Sequence, residues 1–471
     1  MTEENLCYSS VRELSELVSH KKVSPVEIIE AHLDRISQTE PVLNSFITLL
    51  ADEARDAAKR AESMINKGTY LGPLHGIPVG LKDLFNTGGV KTTSGSRIFD
   101  NYVPSEDCTV ASKFRAAGAI LIGKLNMHQF AYGPTGENPD YGHMHNPWDP
   151  EKITGGSSGG SGSAAASGQC TITMGSDTGG SVRIPSSFCG IVGLKPTYGL
   201  VSRNGLTPLS WCLDHPGPMV RTVEDAALTM NVISGFDPRD VASARVKVPD
   251  YTETLGQSIK GMRVGLVKQF FDAPLGSEVE NIVRVAISHL ESLGAEIHEV
   301  SMPMFDQSQA ISGTILMCEA AAYHRDLLRD HADELYLPVR LRLESGLMIT
   351  AADYLKAQQA RSLFNASVDA LYEHVDVLVG PSQPITAPTL LDQSVEINGT
   401  RLGTTAAVTQ YSRPYNITGT PAITIPCGFS TSGMPIGLQI AGKAFAEPTV
   451  FKVAHAYEST TEWHRQHPEI P

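Results

Sequence analysis

The chain has 471 residues, of which 41% are hydrophobic and 19% are charged, and its formal net charge is −14. This length and composition are typical of a soluble globular protein with a large core. The acidic charge argues against a protein that binds nucleic acid nonspecifically, because such binding needs a basic surface.

The first residues do not resemble a targeting segment. Met1–Asn5 is acidic and lacks the basic and apolar regions of a secretory signal, and the chain has no run of about 18 apolar residues that would suit a membrane span. The seven cysteines are scattered from Cys7 to Cys427 without a Cys-x-x-Cys pair, which indicates reduced thiols rather than disulfides or a zinc site. We therefore expect a cytoplasmic protein that does not contact a membrane.

The chain begins with predicted helices and then changes to short buried strands. Residues 24–27 (Ser-Pro-Val-Glu) combine a capping box with proline at the first helical position, so a helix is expected to start there. An alanine-rich helix is expected over residues 51–66. The apolar runs at 77–81 and 119–122 indicate buried strands, and the glycine-rich stretch 130–220 indicates loops.

The second half alternates between strand and helix patterns. We predict a strand-helix-strand unit over residues 262–301 and a long helix over 352–374 that leads into a strand over 375–379. A hairpin of two strands follows over residues 422–440, and a closing helix over 447–460. Such alternation is typical of an α/β protein with a large, mainly buried sheet. Without a repeat, a low-complexity linker or a sharp change of composition, one domain over residues 1–471 is predicted.

Two glycine–serine segments in the centre carry the strongest chemical signal. Ser157 and Ser181 each follow paired glycines, in segments 155–161 and 175–183. Glycine lets backbone N–H groups approach a ligand closely, so a serine in such a loop is typical of a nucleophile beside an oxyanion hole. Lys82 ends an apolar run, and a buried lysine loses much of its preference for the charged form. It can then act as a base near pH 7.

Two other motifs in this region predict different chemistry. Residues 118–125 almost match a phosphate-binding P-loop, but Leu125 replaces the Ser or Thr that would bind magnesium, and the interior is an apolar run that favours a strand. Residues 155–159 match the G-x-S-x-G elbow of α/β hydrolases. However, no Asp and His pair that could complete that triad stands out later in the chain.

Three further patterns have structural explanations. Asp177-Thr178-Gly179 is half of an aspartic-protease signature, and no second copy is present. His143 and His145 are a possible metal pair without further ligands nearby in the sequence. Cys170 and Cys189, which lie beside the two serine segments, are expected to be buried and structural rather than reactive.

Together, these segments resemble the amidase signature family of serine hydrolases. The resemblance covers most of the chain and is densest from Gly72 to about Thr222. Its landmarks, in order, are residues 72–83, 146–148, 155–161, 175–185, 193–199, 214–218 and 415–422.

The resemblance implies a catalytic role for three residues. Ser181 corresponds to the nucleophile, Ser157 to a serine that follows a cis peptide bond and relays a proton, and Lys82 to the base. Neither a metal nor an organic cofactor is implied. The oxyanion hole would consist of backbone N–H groups of Thr178, Gly179, Gly180 and Ser181.

Three neighbouring residues, Ser158, Asp177 and Arg183, are expected to organise the loops rather than to take part in the chemistry. The implied fold is a single α/β domain whose large mixed sheet is surrounded by helices. Its expected parts are N-terminal helices over about 1–70, a catalytic core over about 71–235 and a variable, substrate-shaping half over about 236–471.

The resemblance implies hydrolysis of a carbon–nitrogen amide bond but leaves the substrate open. Departures at residues 130–138 and 209–216 favour a free-standing amidase for a small amide, anilide or carbamate. The main alternative is the amidase subunit of a glutamyl-tRNA amidotransferase, the only one of these functions with a nucleic-acid partner. An enzyme that acts mainly on esters and a catalytically silent relative are further alternatives, and a homodimer is possible.

Four residues are expected to lie near the substrate. Tyr132, Gly133 and Thr135 belong to a loop that, by analogy with the family, borders the acyl pocket. Trp211 either faces the leaving group or belongs to the core.

Overall fold

The computed structural model describes residues 3–470, and its centre is a sheet of 11 strands. Met1 and Thr2, which begin the acidic N-terminal segment, lie outside the described residues. In order across the sheet, the strands are β1 (Phe46–Leu49), β3 (Ile120–Leu125), β2 (Pro78–Lys82), β6 (Ile172–Asp177), β8 (His215–Val220), β7 (Val192–Lys195), β14 (Ala422–Phe429), β15 (Pro435–Gly442), β11 (Val377–Pro381), β9 (Arg263–Val267) and β10 (Glu296–Val300).

The sheet is mixed. Strand β2 pairs in parallel with β3 and β6, whereas β6, β8, β7, β14, β15 and β11 form a continuous antiparallel series. The central strands are buried on both faces, and the edge strand β10 is partly exposed. The predicted α/β fold with a mixed, mostly buried sheet is therefore confirmed. Two short hairpins lie apart from it, β4 (His145–Asn146) with β5 (Asp149–Ile153) and β12 (Ser394–Ile397) with β13 (Thr400–Gly403).

Helices cover the sheet. Within residues 3–470 they are α1 (Glu3–Tyr8), α2 (Val11–Ser19), α3 (Pro25–Leu43), α4 (Ala51–Asn66), α5 (Thr109–Ala116), α6 (Gly159–Ala166), α7 (Arg183–Cys189), α8 (Val223–Ile233), α9 (Lys268–Asp272), α10 (Ser277–Ser292), α11 (Ser308–Tyr323), α12 (Arg325–His331), α13 (Leu337–Leu347), α14 (Ala351–Leu371), α15 (Thr404–Thr409), α16 (Arg413–Thr418) and α17 (Glu447–Glu458). In this part of the chain, no helix is both long enough and apolar enough to cross a membrane.

Local signals predicted several elements correctly. At the start of α3, the Ser24 hydroxyl accepts from the N–H of Glu27 at 3.2 Å, and the Glu27 carboxylate accepts from the N–H of Ser24 at 2.8 Å. The strand-helix-strand unit is β9, α10 and β10, and the predicted hairpin is β14 with β15.

The prediction of loops for the glycine-rich stretch 130–220 is wrong for a large part of it, because strands β4 to β8 and two helices lie there. Helices α6 and α7 lie there, and every residue of both is buried. Their small residues permit close packing: a Cβ at Gly160 would lie only 2.5 Å from the carbonyl oxygen of Asn126. Composition alone predicts a flexible loop, whereas the packed environment makes the same glycines part of a helix.

A glycine in the central sheet provides a test of this close packing. In β8, a Cβ at Gly217 would overlap the carbonyl oxygen of Leu194 in β7. We expect Gly217→Ala to lower the free energy of unfolding by about 1–3 kcal/mol, because backbone must move to admit the methyl group. At Gly403 the nearest atom is 3.9 Å away, so Gly403→Ala should change stability by about 0.5 kcal/mol or less. Urea unfolding measures both, and equal effects would contradict this explanation.

Candidate active site

Lys82 is the last residue of β2, and its side chain is fully buried. Its Nζ donates to Ser157 Oγ at 2.7 Å and to Ser176 Oγ at 2.9 Å. The structure therefore brings together Lys82 and Ser157, two of the three predicted catalytic residues. Ser176, at the end of β6, was not assigned a role from the sequence, although it lies within one of the recognised segments.

The environment of Lys82 favours its neutral form. Burial lowers the pKa of Lys82 from 10.5 to about 7, while the charges of Asp214 and Asp177 act in the opposite direction. A large fraction of the amine is therefore unprotonated at neutral pH and can accept a proton along its hydrogen bond to Ser157.

Ser157 lies in a tightly enclosed loop. The Gly156–Ser157 peptide bond is cis, as the resemblance implied. A Cβ at Gly156 would lie 2.7 Å from the nitrogen of Gly136 and 2.8 Å from the carbonyl oxygen of Gly133, so residues 133–136 press directly on the loop. The next residue, Ser158, donates its N–H to the carbonyl of Ser181 at 3.3 Å, which joins the two serine loops.

Ser181 lies in a turn between β6 and α7 that the carboxylate of Asp177 shapes. Asp177 accepts the N–H of Gly180 at 2.8 Å and that of Val182 at 3.2 Å. The N–H groups of Gly179 and Ser181 have no hydrogen-bond acceptor among residues 3–470. Gly180 thus serves to form the turn, with φ of +124°, and its N–H is already bound by Asp177, although it was predicted as one of the four N–H groups of the oxyanion hole.

Asp177 is itself held by a buried arginine. Arg183 donates from Nη2 to Asp177 Oδ1 at 2.9 Å and from Nε to Oδ2 at 3.0 Å, and both side chains are fully buried. Burial alone would raise the pKa of Asp177, but the charge and hydrogen bonds of Arg183 outweigh it and hold that pKa well below its usual range. The remaining Arg183 donors bind Asn416 Oδ1, Gln439 Oε1 and the carbonyl of Ser412. Two of the three predicted organisers, Asp177 and Arg183, are thus placed to fix the turn.

Ser158, the third predicted organiser, connects the first loop to β6. Its hydroxyl donates to the carbonyl of Ser176 at 3.2 Å and accepts the N–H of Ser176 at 3.3 Å. Ser158 therefore binds the backbone of Ser176, the residue whose hydroxyl contacts Lys82.

Asp214 is a site residue to which sequence reasoning gave no role. Its carboxylate accepts the hydroxyl of Thr178 at 2.6 Å and the N–H groups of Leu209 and Ser210. Burial raises the pKa of Asp214, and these hydrogen bonds oppose the rise. Asp214 therefore ties the 209–214 loop to the turn that carries Ser181. The sequence signal that could have identified Asp214 is its place in the segment 214–218, which is one of the landmarks of the family resemblance.

A cavity of about 240 Å³ opens beside Ser181, and we call it the Ser181 pocket. Tyr132 and Gly133 line it, as predicted for the loop that contains them, whereas Thr135 is buried and does not belong to its wall. The later half of the chain contributes Arg342 and Arg413, which were not predicted.

Trp211 lies elsewhere. It is 60% exposed, which excludes the core alternative, and it lines a second cavity of about 210 Å³. This cavity also contacts Ser176 and Asp214 and shares Ala131 and Leu209 with the Ser181 pocket. Trp211 is therefore adjacent to the site but does not line the pocket of Ser181.

The P-loop, cysteine and metal patterns do not form sites in the described part of the chain. Residues 120–125 are strand β3, and Lys124 is buried, 3.2 Å from Asp83 Oδ1, so this segment is not a P-loop. Cys170 and Cys189 are buried, and burial raises the pKa of both thiols. Within the described chain, no group of three or more His, Cys, Asp or Glu side chains is placed to bind a metal.

Comparison with known proteins gives one consistent family. The family model described as Amidase matches residues 27–451. The A subunit of the glutamyl-tRNA(Gln) amidotransferase of Thermosynechococcus vestitus is 40% identical over 486 residues, which cover 98% of this chain and 100% of that protein.

Two solved structures are similar along nearly the whole chain. One belongs to a vestigial protein complex described as revealing the evolutionary origins of an s-triazine catabolic enzyme; it has a TM-score of 0.92 and 34% identity and covers 96% of this chain and 98% of that one. The other is the corresponding glutamyl-tRNA(Gln) amidotransferase subunit of Thermotoga maritima, with a TM-score of 0.83, 30% identity and coverage of 99% and 98%.

The pKa of Lys82 can be measured directly. In protein labelled with ¹³C at lysine Cε, we expect the resonance that disappears in Lys82→Ala to titrate near pH 7 in the wild-type protein. Because the charge of Asp214 raises the pKa of Lys82, Asp214→Asn should lower it further, whereas Asp52→Asn on the exposed face of α4 should not change it. A Lys82 resonance that titrates near pH 10 would contradict the neutral-amine interpretation.

Proposed function

The chain belongs to the amidase family, and we propose that it hydrolyses a carbon–nitrogen amide bond through an acyl-enzyme formed on Ser181. Lys82 is the base, and Ser157 relays the proton between Lys82 and Ser181. The observation that carries the proposal is the hydrogen bond of 2.7 Å between Lys82 Nζ and Ser157 Oγ, in a loop that is itself bonded to Ser181.

The first half of the reaction forms the acyl-enzyme. Neutral Lys82 accepts the proton of Ser157, and Ser157 accepts the proton of Ser181 as Ser181 Oγ bonds to the substrate carbonyl carbon. The carbon–nitrogen bond then breaks, and the proton returns from Lys82 through Ser157 to the leaving nitrogen, which departs as ammonia or an amine.

The second half releases the acid. A water molecule gives a proton to the same relay and bonds to the acyl carbon, and Ser181 leaves with that proton. The reaction needs only groups that this chain supplies. As pH rises through about 7, a larger fraction of Lys82 is neutral, so the base is present at neutral and alkaline pH and is lost on acidification.

The turn around Ser181 supports this reaction electrostatically. The N–H groups of Gly179 and Ser181 are free of other acceptors in residues 3–470, and we assign them to the negative charge that develops on the carbonyl oxygen. The buried Arg183–Asp177 pair keeps the turn rigid, so little reorganisation is needed as that charge forms.

Substitution of the three catalytic residues tests the proposal. We expect Ser181→Ala, Ser157→Ala and Lys82→Ala each to lower kcat for amide hydrolysis by about 10³-fold or more, because members of one catalytic unit fail together. Lys443→Ala, an exposed lysine in the segment after β15, is the matched control and should leave kcat unchanged. The measurement is ammonia release from a primary amide. Wild-type activity in Ser181→Ala protein of native thermal stability would refute the assignment of the nucleophile.

Glutamine is the substrate that the sequence relatives favour. The relative from Thermosynechococcus vestitus is named as a glutamyl-tRNA(Gln) amidotransferase subunit, and the match extends over its full length. On this basis we rank first a role as the subunit that hydrolyses an amide donor to supply ammonia to a partner protein. This reverses the ranking that the sequence departures at 130–138 and 209–216 favoured.

A free-standing hydrolase of small amides is the second candidate. The observation in its favour is the backbone comparison: the TM-score is 0.90, at 27% identity, with a bacterial aryl acylamidase but 0.83 with the amidotransferase subunit of Thermotoga maritima. The chemistry at Ser181 is the same in both candidates, and only the substrate and the partners differ.

A comparison of substrates separates the two candidates. The purified chain is assayed with glutamine, pentanamide, acetanilide and a phenyl carbamate, alone and with the other amidotransferase subunits and glutamylated tRNA from the same organism. For the first candidate we expect glutamate formation from glutamine that increases on addition of the partners, because the partners transfer the ammonia to the glutamylated tRNA and so remove it. Hydrolysis of the anilide or carbamate by the chain alone, with glutamine unchanged, would establish the second candidate. Ser181→Ala is the control in every assay.

A further inference from the structure

Two arginine side chains lie in the wall of the Ser181 pocket: Arg342 from α13 and Arg413 from the start of α16. Neither forms a salt bridge with any carboxylate of residues 3–470. No other wall residue of this pocket is charged, and in particular none is Asp or Glu. The wall of the pocket therefore carries two positive charges and no acidic residue.

The hydrogen bonds of both guanidinium groups go to neutral atoms. Arg413 donates from Nε to Thr409 Oγ1 at 3.0 Å and from Nη1 to the carbonyl of Gln309 at 3.4 Å. Arg342 donates to the carbonyl of Tyr132 and to Thr405 Oγ1. Among the described residues, Nη2 of Arg413 has no acceptor at all, so part of its donor capacity remains for a ligand.

Burial of two like charges together is unfavourable in the absence of an anion. Burial lowers the pKa of Arg413 to about 10, and the neighbouring charge of Arg342 contributes to the decrease. Burial likewise lowers the pKa of Arg342, with some opposition from Tyr132 and Glu137. An anion bound between the two groups would offset both effects, and a planar carboxylate suits the fork of guanidinium donors.

Arg413 is also held next to the nucleophile turn. A Cβ at Gly179 would lie 3.8 Å from Cγ and 3.9 Å from Nε of Arg413. The preceding residue, Ser412, donates its hydroxyl to the carbonyl of Gly179 at 2.6 Å and accepts from Arg183 on its own carbonyl at 2.9 Å. The side chain of Arg413 is thus held next to the turn that carries Ser181.

We propose that Arg413, with Arg342, binds a carboxylate of the substrate, so that the Ser181 pocket selects anionic carboxamides. This inference rests on the proposed hydrolysis at Ser181 and goes beyond it to the substrate class. Because the pocket wall has no acidic residue, it does not pair with a positive charge on the substrate. Glutamine fits this class through its carboxylate, while its ammonium group contributes nothing to binding.

The probes are four primary amides of similar length. Glutaramate carries a carboxylate, pentanamide is its neutral counterpart, 4-aminobutanamide carries only an ammonium group, and glutamine carries both charges. Binding to Ser181→Ala protein is measured by calorimetry, which separates recognition from turnover. We expect glutaramate to bind at least about 10-fold more tightly than pentanamide and 4-aminobutanamide, and glutamine to bind no more tightly than glutaramate.

Variants of Arg413 in the same Ser181→Ala protein assign this preference to the residue. Arg413→Met should reduce the ratio of glutaramate to pentanamide affinity by about 10-fold or more, and Arg413→Lys, which keeps the charge, should restore part of it. Arg401→Met, at an exposed position of β13, is the matched control and should leave the ratio unchanged. Melting temperatures confirm that each variant is folded.

The outcomes separate this inference from the proposed function. A ratio that is unaffected in folded Arg413→Met and Arg413→Lys proteins, or tighter binding of pentanamide or 4-aminobutanamide, would overturn the carboxylate site. If glutaramate binds as expected but wild-type protein releases no ammonia from any of the four amides, the recognition site stands and the proposed hydrolysis fails. If wild-type protein hydrolyses pentanamide and glutaramate equally well and binds them equally, the proposed hydrolysis stands and the carboxylate site fails.

Discussion

The burial of one lysine is the constraint on which the rest of the site depends. Lys82 is fully buried at the end of β2, and its Nζ contacts two hydroxyl groups and, within residues 3–470, no carboxylate. A buried charge without a partner is costly, so this environment favours a neutral amine. Strands β3 and β6 on either side and the enclosed loop of Ser157 keep water away from the amine, and the fold thereby makes a lysine usable as a base near pH 7.

A second buried charge, that of Arg183, is compensated by its neighbours and has a structural role. Arg183 is paired with Asp177 and also bonded to Asn416 and Gln439, so its charge is fully compensated. Breaking such a pair leaves an uncompensated charge in the core and costs about 3–5 kcal/mol. The pair connects the nucleophile turn to residues more than two hundred positions away, and the turn is thereby fixed by the whole sheet rather than by its own flexible glycines.

The chemistry and the specificity of the site come from different parts of the chain. Residues 82, 157 and 181, with the surrounding turn, lie on strands and loops of the first half of the chain. The Ser181 pocket is completed by Arg342 and Arg413 from the second half. A common reaction centre can therefore be combined with different pockets, which is consistent with similarity to both an amidotransferase subunit and a chain from an s-triazine-related complex.

The sequence by itself determined the fold class and the capped helix after Ser24 through local patterns, and it supplied the candidate roles of Lys82, Ser157 and Ser181 through the resemblance of its motifs to a known family. It failed where packing overrides composition, as in the buried helices α6 and α7, whose composition predicts loops. Only the tertiary structure decided which distant side chains meet, since contact depends on the register of the sheet and not on spacing in the chain. The features decided in this way are the contact of Ser176 with Lys82, the anchoring of Thr178 by Asp214, the engagement of the Gly180 N–H by Asp177, the burial of Thr135, the exposure of Trp211 and the two arginines of the Ser181 pocket.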